Sequence, residues 1–277
     1  MSCSADKSTD KIVVLARGLG TRMRRSDDAA ALSRRQAAVA DIGAKAMMPV
    51  GRPFLDYVLT AVAAAGCRRV CLVVGPEHET IRRYYGEQAQ PRRLTIEFAV
   101  QREPNGTADA VAAAESFAGG DPFLVINSDN HYPADALRLL REQSGCAAAL
   151  FEEESMLAGG NLSRERLWRF AIGKIDGRGY LLRVVEKPDA ETIGSLPRPI
   201  WVSMNCWRLG PAIFDACRAI EPSPRGELEM PAAVNYAIEV LREPFHAVTI
   251  RDAVLDLSSR RDVGPIAAKL AGTEVDF

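Results

Sequence analysis

Short apolar runs alternate with amphipathic stretches along the first half of the chain. Four of these runs predict strands: residues 12–16, 69–75, 94–100 and 122–129. Three stretches between them predict helices: residues 54–65, 79–88 and 107–118. Strands that alternate with helices in this order predict an α/β fold, in which a mostly parallel sheet is covered by helices on both faces.

The second half has a less regular pattern. Two strand-like stretches that meet at an Asp-Gly pair (176–177) predict a β-hairpin. A further strand is predicted at 201–209, and helices are predicted within 211–219 and 229–241. A short apolar piece follows at 253–257, and then a last helix. No internal repeat or long linker divides the sequence.

Residues 23–44 form a polar, alanine-rich segment between two of the motifs described below. Long surface segments are either functional or simply irregular. The segment is therefore interpreted as a mobile lid or, alternatively, as an exposed helical insertion, and both interpretations stay open at this point.

Composition and charge narrow the classes of function. The 277 residues are 47% hydrophobic and 26% charged, as in a globular protein of one large domain or one domain with an appendage. The formal net charge is −1. Proteins that bind polynucleotides usually carry a basic excess, so a nucleic acid is not expected as the main partner.

The sequence also bears on the compartment. No apolar stretch is long enough to span a bilayer, and the polar residues 1–11 lack the apolar core of a secretory signal. The 6 cysteines form no C-x-x-C pair and no metal-ligand cluster, and Cys67 and Cys71 are predicted to be small core residues. We therefore expect a cytoplasmic protein with no membrane partner.

Glycines directly follow the first predicted strand, in the sequence LARGLGTR (15–22). Open α/β sheets bind ligands beyond the carboxyl ends of their strands. Gly18 and Gly20 let backbone N–H groups approach phosphate oxygens, and Arg22 adds a fork of donors suited to a triphosphate. An ordinary glycine-rich turn between a strand and a helix is the alternative interpretation.

Two other phosphate-binding motifs are excluded. A dinucleotide-binding fingerprint needs a third glycine where Met23 stands, and a strand that ends in an acid about 20 residues further on. A P-loop needs a G-K-[ST] sequence, which the chain lacks.

Three motifs resemble those of the sugar-1-phosphate nucleotidylyltransferases, also called nucleoside-diphosphate-sugar pyrophosphorylases. That family has L-A-G-G-x-G-T-R, then K-x-x-x-P-V and G-x-P. The matching residues here are 15–22, 45–50 (KAMMPV) and 51–53 (GRP). Arg17 replaces the first of the paired glycines, and the spacer before Lys45 is longer than usual. Arg17 either clashes with a nucleotide or adds a phosphate contact.

The resemblance implies a GT-A-like fold, which is a Rossmann-like mixed sheet, mostly parallel, with a smaller sugar-binding subregion. It implies a single domain over 1–277, with a nucleotide-binding half at about 11–150 and a sugar-phosphate-binding half at about 151–277. Carried over from the first motif as nucleotide-binding residues are Leu15, Ala16, Gly18, Gly20 and Thr21. Arg22 and Lys45 are carried over as catalytic residues.

A second family motif is a base-reading residue followed by G-T-A, and Gln101 with Gly106-Thr107-Ala108 resembles it. Gln101 has an acceptor and a donor for the N3–H and carbonyl edge of uracil or thymine. Family members that use GTP tend to have glutamate here, so Gln101 favours UTP or dTTP. Gly106 permits close approach to a flat ring, and Thr107 is predicted to cap the following helix. A polar loop capped by Thr107 is the structural alternative.

An apolar run ends at Asp129, at the carboxyl end of a predicted central strand, where a hard divalent cation would find a ligand. Asn127, at the same strand end, is predicted to bind substrate. The family has a second carboxylate in a late W-x-D-x-G-T strand end. Asp256, before a Ser-Ser pair, is the best match, and Asp252 is the alternative. The resemblance thus implies Mg²⁺ bound by Asp129 and Asp256.

Glu186-Lys187-Pro188 resembles the family's E-K-P motif. In that motif the glutamate accepts hydrogen bonds from sugar hydroxyls and the lysine neutralises the sugar phosphate. Asn205 matches an asparagine of the family's sugar pocket, but the glycine that follows it is Cys206 here. Lys187 is therefore predicted to be catalytic, and Glu186 and Asn205 to bind the substrate.

The implied reaction is in-line attack by a sugar-phosphate oxygen on the α-phosphorus of a nucleoside triphosphate, with release of pyrophosphate. The implied partners are these two substrates, and a homo-oligomer is compatible with the sequence. Two alternatives stay open. One is a degenerate relative that binds a nucleotide sugar and regulates a partner protein. The other is a transferase with a non-sugar phosphate acceptor such as phosphocholine.

Overall fold

The computed structural model describes residues 8–27 and 29–277. Cys3, within the polar N-terminal stretch, and Asp28, within the predicted insertion, lie outside the described residues. The strands of the described part are β1 (Lys11–Leu15), β2 (Arg69–Val74), β3 (Thr95–Val100), β4 (Phe123–Asn127), β5 (Asn130–His131), β6 (Cys146–Glu152), β7 (Ala171–Ile175), β8 (Leu181–Val185), β9 (Trp201–Leu209), β10 (Phe245–Ile250) and β11 (Leu255–Asp256).

Helices cover the sheet and connect its strands. In chain order they are α1 (Thr21–Arg24), α2 (Arg34–Asp41), α3 (Phe54–Ala64), α4 (Glu79–Arg83), α5 (Thr107–Ala112), α6 (Glu115–Ala118), α7 (Ala134–Arg141), α8 (Glu153–Gly159), α9 (Arg164–Leu167), α10 (Ala190–Ser195), α11 (Ile213–Ala219), α12 (Met230–Glu239) and α13 (Val263–Lys269). Two short 3₁₀ helices span Lys45–Met47 and Arg260–Asp262, and a π-helical turn, Tyr84–Gln88, continues α4.

Within the described residues, nine strands form one sheet in the order β10-β6-β9-β4-β1-β2-β3, and the β7–β8 hairpin attaches to β9. Strands β1 to β4 run parallel to one another. Strand β9 runs antiparallel to its neighbours β4 and β6, whereas β10 is parallel to β6. The predicted mostly parallel sheet is thus confirmed, and the antiparallel pairs of β9 and of the β7–β8 hairpin make it mixed.

Two hydrophobic clusters cover the two faces of this sheet. Successive residues of β1 alternate between them, with Ile12 and Val14 in one cluster and Val13 and Leu15 in the other. Because both faces are covered, the strands have continuous apolar sequences rather than an alternation of apolar and polar residues. Each fully buried aliphatic side chain contributes about 1.5–3 kcal/mol of transfer free energy.

The predicted elements agree with the structure in most places and differ in some. The predicted hairpin is β7–β8, in which Ile172 lies opposite Val185. The predicted helix 107–118 is divided into α5 and α6, and the stretch 79–88 ends in a π-helical turn. The apolar pattern did not predict β6. Its sequence CAAALFE is rich in alanine, a weak strand former, and it pairs with β9 and β10 in the sheet.

The described part of the segment 23–44 contains the helix α2 and is largely exposed. The side chains of Ser33 and Gln36 form a capping box at the start of α2. Arg260, which is distant in the sequence, contacts this segment at two points. Its guanidinium donates to the carbonyl of Met23 at 3.0 Å and pairs with Asp41 at 2.5 Å. A lid function of this segment stays a prediction.

The parallel strands position the candidate site. The carboxyl ends of β1, β2, β3 and β4 meet at one edge of the sheet, and the loops that follow them carry the motifs predicted to bind the nucleotide. In the described part of the chain, no helix has both the length and the apolar character needed to cross a membrane.

Candidate active site

A cleft of about 330 Å³ opens where β1 and β4 end. It is lined by residues from the loop after β1, the 3₁₀ helix at Lys45, the loop after β3 and the end of β4. Predicted residues in this lining are Leu15, Ala16, Gly18, Gly20, Thr21, Arg22, Lys45, Gln101, Gly106, Thr107, Asn127 and Asp129. The structure thus brings the predicted nucleotide-binding residues to one place.

The glycine loop, residues 16–22, is shaped by a close backbone contact. Gly20 has a left-handed backbone, with φ of +61°. A Cβ atom at this position would lie 2.3 Å from the carbonyl oxygen of Gly43, at the end of the insertion. Only glycine fits here without a shift of the backbone, so the insertion and the glycine loop support each other.

A charged pair lies on the floor of the cleft. The ammonium of Lys45 donates a hydrogen bond to Oδ2 of Asp129. Both side chains are mostly shielded, with 16% and 22% of their surfaces exposed. Pairing offsets the cost of removing these charges from water, and it leaves both within reach of a ligand that enters the cleft.

Asp256 lies next to Asp129 because β5 and β11 pair. Asp256 is opposite Asn130, and the N–H of Leu257 donates to the carbonyl of Asp129 at 2.8 Å. Oδ1 of Asp256 accepts from the amide of Asn130 at 2.9 Å. Oδ2 accepts from the hydroxyl of Ser258 at 2.5 Å. The guanidinium of Arg166 is 3.3 Å from the same Oδ2.

The two carboxylates have the chemistry of a cation site. Burial raises the pKa of Asp256 to about 6, and the negative charge of Asp129 contributes to the rise. A divalent cation would relieve this repulsion, and each carboxylate oxygen has lone pairs for more than one partner. Among the described residues no cluster of three or more His, Cys, Asp and Glu side chains could hold a metal. The two carboxylates could hold a divalent cation only if its other ligands came from water and phosphate.

The alternative second carboxylate, Asp252, is less well placed. It is exposed, and its Oδ1 accepts from the N–H of Ala253 at 2.7 Å. Asp256, by contrast, belongs to the ribbon strand that pairs beside Asp129.

The helix cap predicted next to the base loop, residues 101–106, differs from the one in the structure. Thr107 does not cap the following helix, because α5 begins at Thr107 itself and Gly106 is its N-cap residue. The hydroxyl of Thr107 accepts instead from the N–H of Met230 at 2.8 Å. Gly106 has φ of +115°, and a Cβ there would lie 2.4 Å from the carbonyl oxygen of Leu228. The loop is thereby fixed against the segment that precedes α12.

Arg17 lies beside the base loop. Its side chain is 7% exposed, and its Nη2 donates to the carbonyl of Arg102 at 3.0 Å. Nη2 is also 3.6 Å from a carboxylate oxygen of Glu77. Among the described residues, Nε and Nη1 have no hydrogen-bond partner. Its direct contacts are therefore to residues at the ends of β2 and β3, on the base side of the cleft.

The predicted sugar-side residues are not part of the lining of this cleft. Of the described residues that line it, none is Glu186, Lys187 or Asn205. Lys187 and Asn205 have left-handed backbones, with φ of +41° and +54°. Glu186 has a raised pKa because of partial desolvation and the nearby charge of Glu229. Cys206 stands where the family has a glycine, and its side chain is fully buried in the core. Its thiol is therefore not exposed to a ligand.

Several polar residues of the site were not predicted from the sequence. Asp109 accepts a hydrogen bond from Gln101 at 2.7 Å, and Asn130 and Arg166 contact Asp256. Asn130 follows the strand-end Asp129 directly, which is a signal that sequence reasoning could have used. Arg166 is 90 residues from Asp256 in the sequence, and no motif marks it.

Comparisons with known proteins agree with this geometry. A family model described as nucleotidyl transferase matches residues 11–264. The chain is 32% identical to a glucose-1-phosphate thymidylyltransferase of Streptomyces antibioticus over 233 residues, which are 83% of this chain and 57% of that protein. It is 29% identical to the UTP–glucose-1-phosphate uridylyltransferase AglF of Haloferax volcanii over 254 residues, which are 90% and 92% of the two chains. The chain thus spans little more than half of the Streptomyces relative.

A solved structure shares the fold. A UDP-glucose pyrophosphorylase complexed with UDP-glucose superimposes with a TM-score of 0.73 at 18% identity, and the match covers 96% of this chain and all of that one. The expected GT-A-like nucleotidyltransferase architecture is therefore confirmed. With the family model matching residues 11–264, the chain belongs to the nucleotidyl transferase family, in the group of sugar-1-phosphate nucleotidyltransferases that its motifs predicted.

Proposed function

We propose that this protein transfers a nucleotidyl group from UTP or dTTP to a sugar 1-phosphate and releases pyrophosphate. The observation that carries the proposal is the shared cleft of the glycine loop, Gln101 and the Lys45–Asp129 pair. A group for phosphates, a group for a base and a charged pair for the reacting phosphate are therefore close together. Relatives named for thymidylyl and uridylyl transfer to glucose 1-phosphate support both the reaction and the choice of nucleotide.

The residues have separate roles in this proposal. The backbone N–H groups of the glycine loop and the guanidinium of Arg22 bind the phosphates that leave as pyrophosphate. Lys45 draws in the α-phosphate, and Lys187 neutralises the acceptor phosphate. Glu186 and Asn205 bind hydroxyls of the acceptor. This chemistry depends on positioning and on neutralising charge rather than on a strong general base.

Members of this family typically use a divalent metal, and we propose Mg²⁺ for this chain. Asp129 and Asp256 would hold the ion. When bound, it supplies positive charge to the triphosphate. Hydrogen bonds from Asn130 and Ser258 keep the carboxylate of Asp256 oriented, which supports its assignment as the second ligand.

The two halves of the chain have different binding roles in this proposal. Residues 11–150 bind the nucleotide, and residues 151–277 contribute the acceptor side together with Asp256. The helical insertion at 23–44 packs on the glycine loop through Gly43, so its position affects the phosphate side of the cleft.

The proposal is tested by pyrophosphate release in the presence of Mg²⁺. Each common nucleoside triphosphate and dTTP is combined with a panel of sugar 1-phosphates, phosphocholine and other phosphorylated acceptors. Release is expected with UTP or dTTP and a sugar 1-phosphate, and Asp129→Asn is expected to abolish it. Asp135→Asn, which changes an exposed acid in the first turn of α7, is the matched control and is expected to keep full activity.

Other outcomes are equally informative. Release only with a non-sugar acceptor would support the alternative transferase. Binding of a nucleotide sugar without release from any pair would support a regulatory protein and contradict the proposal. Unchanged release in Asp129→Asn would remove this residue from the site.

A further inference from the structure

We propose that Asp109 is a positioning residue for base selection, because it fixes the side-chain amide of Gln101 so that only the carbonyl oxygen Oε1 faces the base. The inference rests on the proposed function, since it names the contact by which the same cleft selects its nucleotide. Asp109 itself does not line the cleft in the described part of the chain.

Both amide hydrogens of Gln101 are already engaged. Its Nε2 donates to the carbonyl of Gly106 at 2.9 Å and to Oδ2 of Asp109 at 2.7 Å. A primary amide has two hydrogens, so neither is left for a ligand. No described residue donates a hydrogen bond to Oε1, and Gln101 lines the cleft. The group that this side chain offers to a base is therefore an acceptor.

The orientation is fixed because both partners of Nε2 are acceptors. A rotation of the amide by 180° would set Oε1 against the carbonyl oxygen of Gly106 and the carboxylate of Asp109. Two hydrogen bonds would be exchanged for two repulsive contacts. The bond to the carboxylate is charge-assisted and is the stronger of the two. Asp109 thus makes the larger contribution to the orientation.

The backbone around the amide is also held in place. The N–H of Gln101 donates to the carbonyl of Val74 at 2.9 Å. Gly106 packs so closely on Leu228 that a Cβ atom would not fit between them. Asp109 lies in the first turn of α5, directly after this contact. The backbone of Gln101 and the carbonyl partner at Gly106 are therefore held in place on both sides of the amide.

A fixed acceptor requires an N–H on the base. At N3, uracil and thymine present an N–H to such an acceptor, whereas cytosine presents a lone pair. The C4 amino group of cytosine meets the same acceptor only if the base shifts away from the position that uracil takes. Cytosine has nearly the same size as uracil, so the contact rather than the size of the cleft distinguishes the two. The carbonyl oxygens of the base then need donors other than Gln101, and backbone N–H groups of the glycine loop lie across the same cleft. We expect the protein to prefer UTP over CTP by at least about 10²-fold.

The test compares kcat/KM for UTP, dTTP and CTP in the wild type, Asp109→Ala and Asp109→Asn. Asp109→Ala is expected to lower the UTP-to-CTP ratio by about 10-fold or more, because a charge-assisted bond no longer holds the amide. Asp109→Asn keeps an acceptor oxygen and is expected to retain most of the ratio. The UTP-to-dTTP ratio is expected to stay constant in all three proteins, because uracil and thymine share the N3–H.

Controls separate this role from a structural one. Asp135→Ala removes a first-turn acid from another helix and is expected to leave both ratios unchanged. Thermal unfolding is measured for every variant, and Asp109→Ser replaces Asp109→Ala if the latter does not fold. Equal losses with UTP and CTP in the Asp109 variants, or a wild-type preference for CTP, would overturn the inference.

A readout without turnover keeps the two proposals separate. The affinities for UDP and CDP are measured by calorimetry on the same proteins. If the wild type releases no pyrophosphate from any pair, the proposed function fails, but a UDP preference that falls in Asp109→Ala still supports the inference. Equal affinities for UDP and CDP, or binding of neither, would contradict it.

Discussion

The proposed nucleotide side and the proposed acceptor side of the site are built in different ways. On the proposed nucleotide side, the glycine loop, Lys45, the base loop and Asp129 line one cleft. Close backbone contacts at Gly20 and Gly106 fix the two loops, and Lys45 pairs with Asp129. On the acceptor side, Glu186 and Lys187 are exposed and lie outside that lining. The first region is gathered around one cleft, whereas the second presents exposed charged side chains outside the lining of that cleft.

The difference follows from where each region lies in the fold. Loops after parallel strands converge at one edge of the sheet without further contacts. Glu186 and Lys187 follow the hairpin strand β8, and Asn205 lies in β9 beside an irregular register with β6. The direction in which each of these three side chains points therefore depends on its own local backbone conformation. We therefore expect the choice of acceptor to vary more easily than the choice of nucleotide.

The largest effect is expected on the nucleotide side. Lys45→Ala removes the cation that pairs with Asp129, and kcat is expected to fall on the order of 10³-fold. Steady-state pyrophosphate release measures it. Lys174→Ala, which changes an exposed lysine of β7, is the matched control. A loss of less than about 10-fold would show that the nucleotide side does not depend on this charge.

A smaller and more selective effect is expected on the acceptor side. Lys187→Ala is expected to raise the KM of the sugar 1-phosphate by about 10-fold or more, because a charge-assisted contact to its phosphate is lost. The KM of the nucleotide is expected to stay within about twofold. Varying each substrate separately measures both values. An equal rise in the two KM values would mean that the two sides are not independent.

The next prediction is whether Arg17 contributes to nucleotide binding. Arg17→Ala removes the hydrogen bond to the carbonyl of Arg102 and loosens the base loop, so the KM of the nucleotide is expected to rise by about two- to tenfold. Arg178→Ala, at an exposed hairpin turn, serves as the control. A fall in KM would show the opposite, that the guanidinium obstructs the nucleotide.

The smallest effect on turnover is expected at the insertion. Arg260→Ala removes its contacts to Met23, Arg24 and Asp41, so amide hydrogen exchange across 29–44 is expected to become faster. The expected change in kcat is less than about twofold, because the glycine loop keeps its contact with Gly43. Exchange measured by mass spectrometry and kinetics on the same sample test both points. A proportional loss of kcat would identify the insertion as a lid.

Much of the nucleotide side was accessible to sequence reasoning, for a physical reason. Gly18 and Gly20 follow a β-branched run, and Asp129 ends another, so a parallel sheet brings them to the same edge. The prediction that Thr107 caps a helix is wrong, because its hydroxyl accepts a hydrogen bond from the N–H of Met230, 123 residues away. A capping pattern describes only local bonds, and this bond is not local.

The sequence alone therefore determined the α/β class, the family and the residues at the strand ends, because all of these depend on short-range patterns. Tertiary structure decided the contacts that give those residues their chemistry. It joined Asp256 to Asp129 through the β5–β11 ribbon and set Asp109 behind Gln101. It also left Glu186 and Lys187 outside the cleft. The ribbon joins segments 126 residues apart, at Asn130 and Asp256, and the Gln101–Asp109 contact depends on the path of the loop between β3 and α5. Neither follows from a short-range pattern, because both depend on how the chain packs.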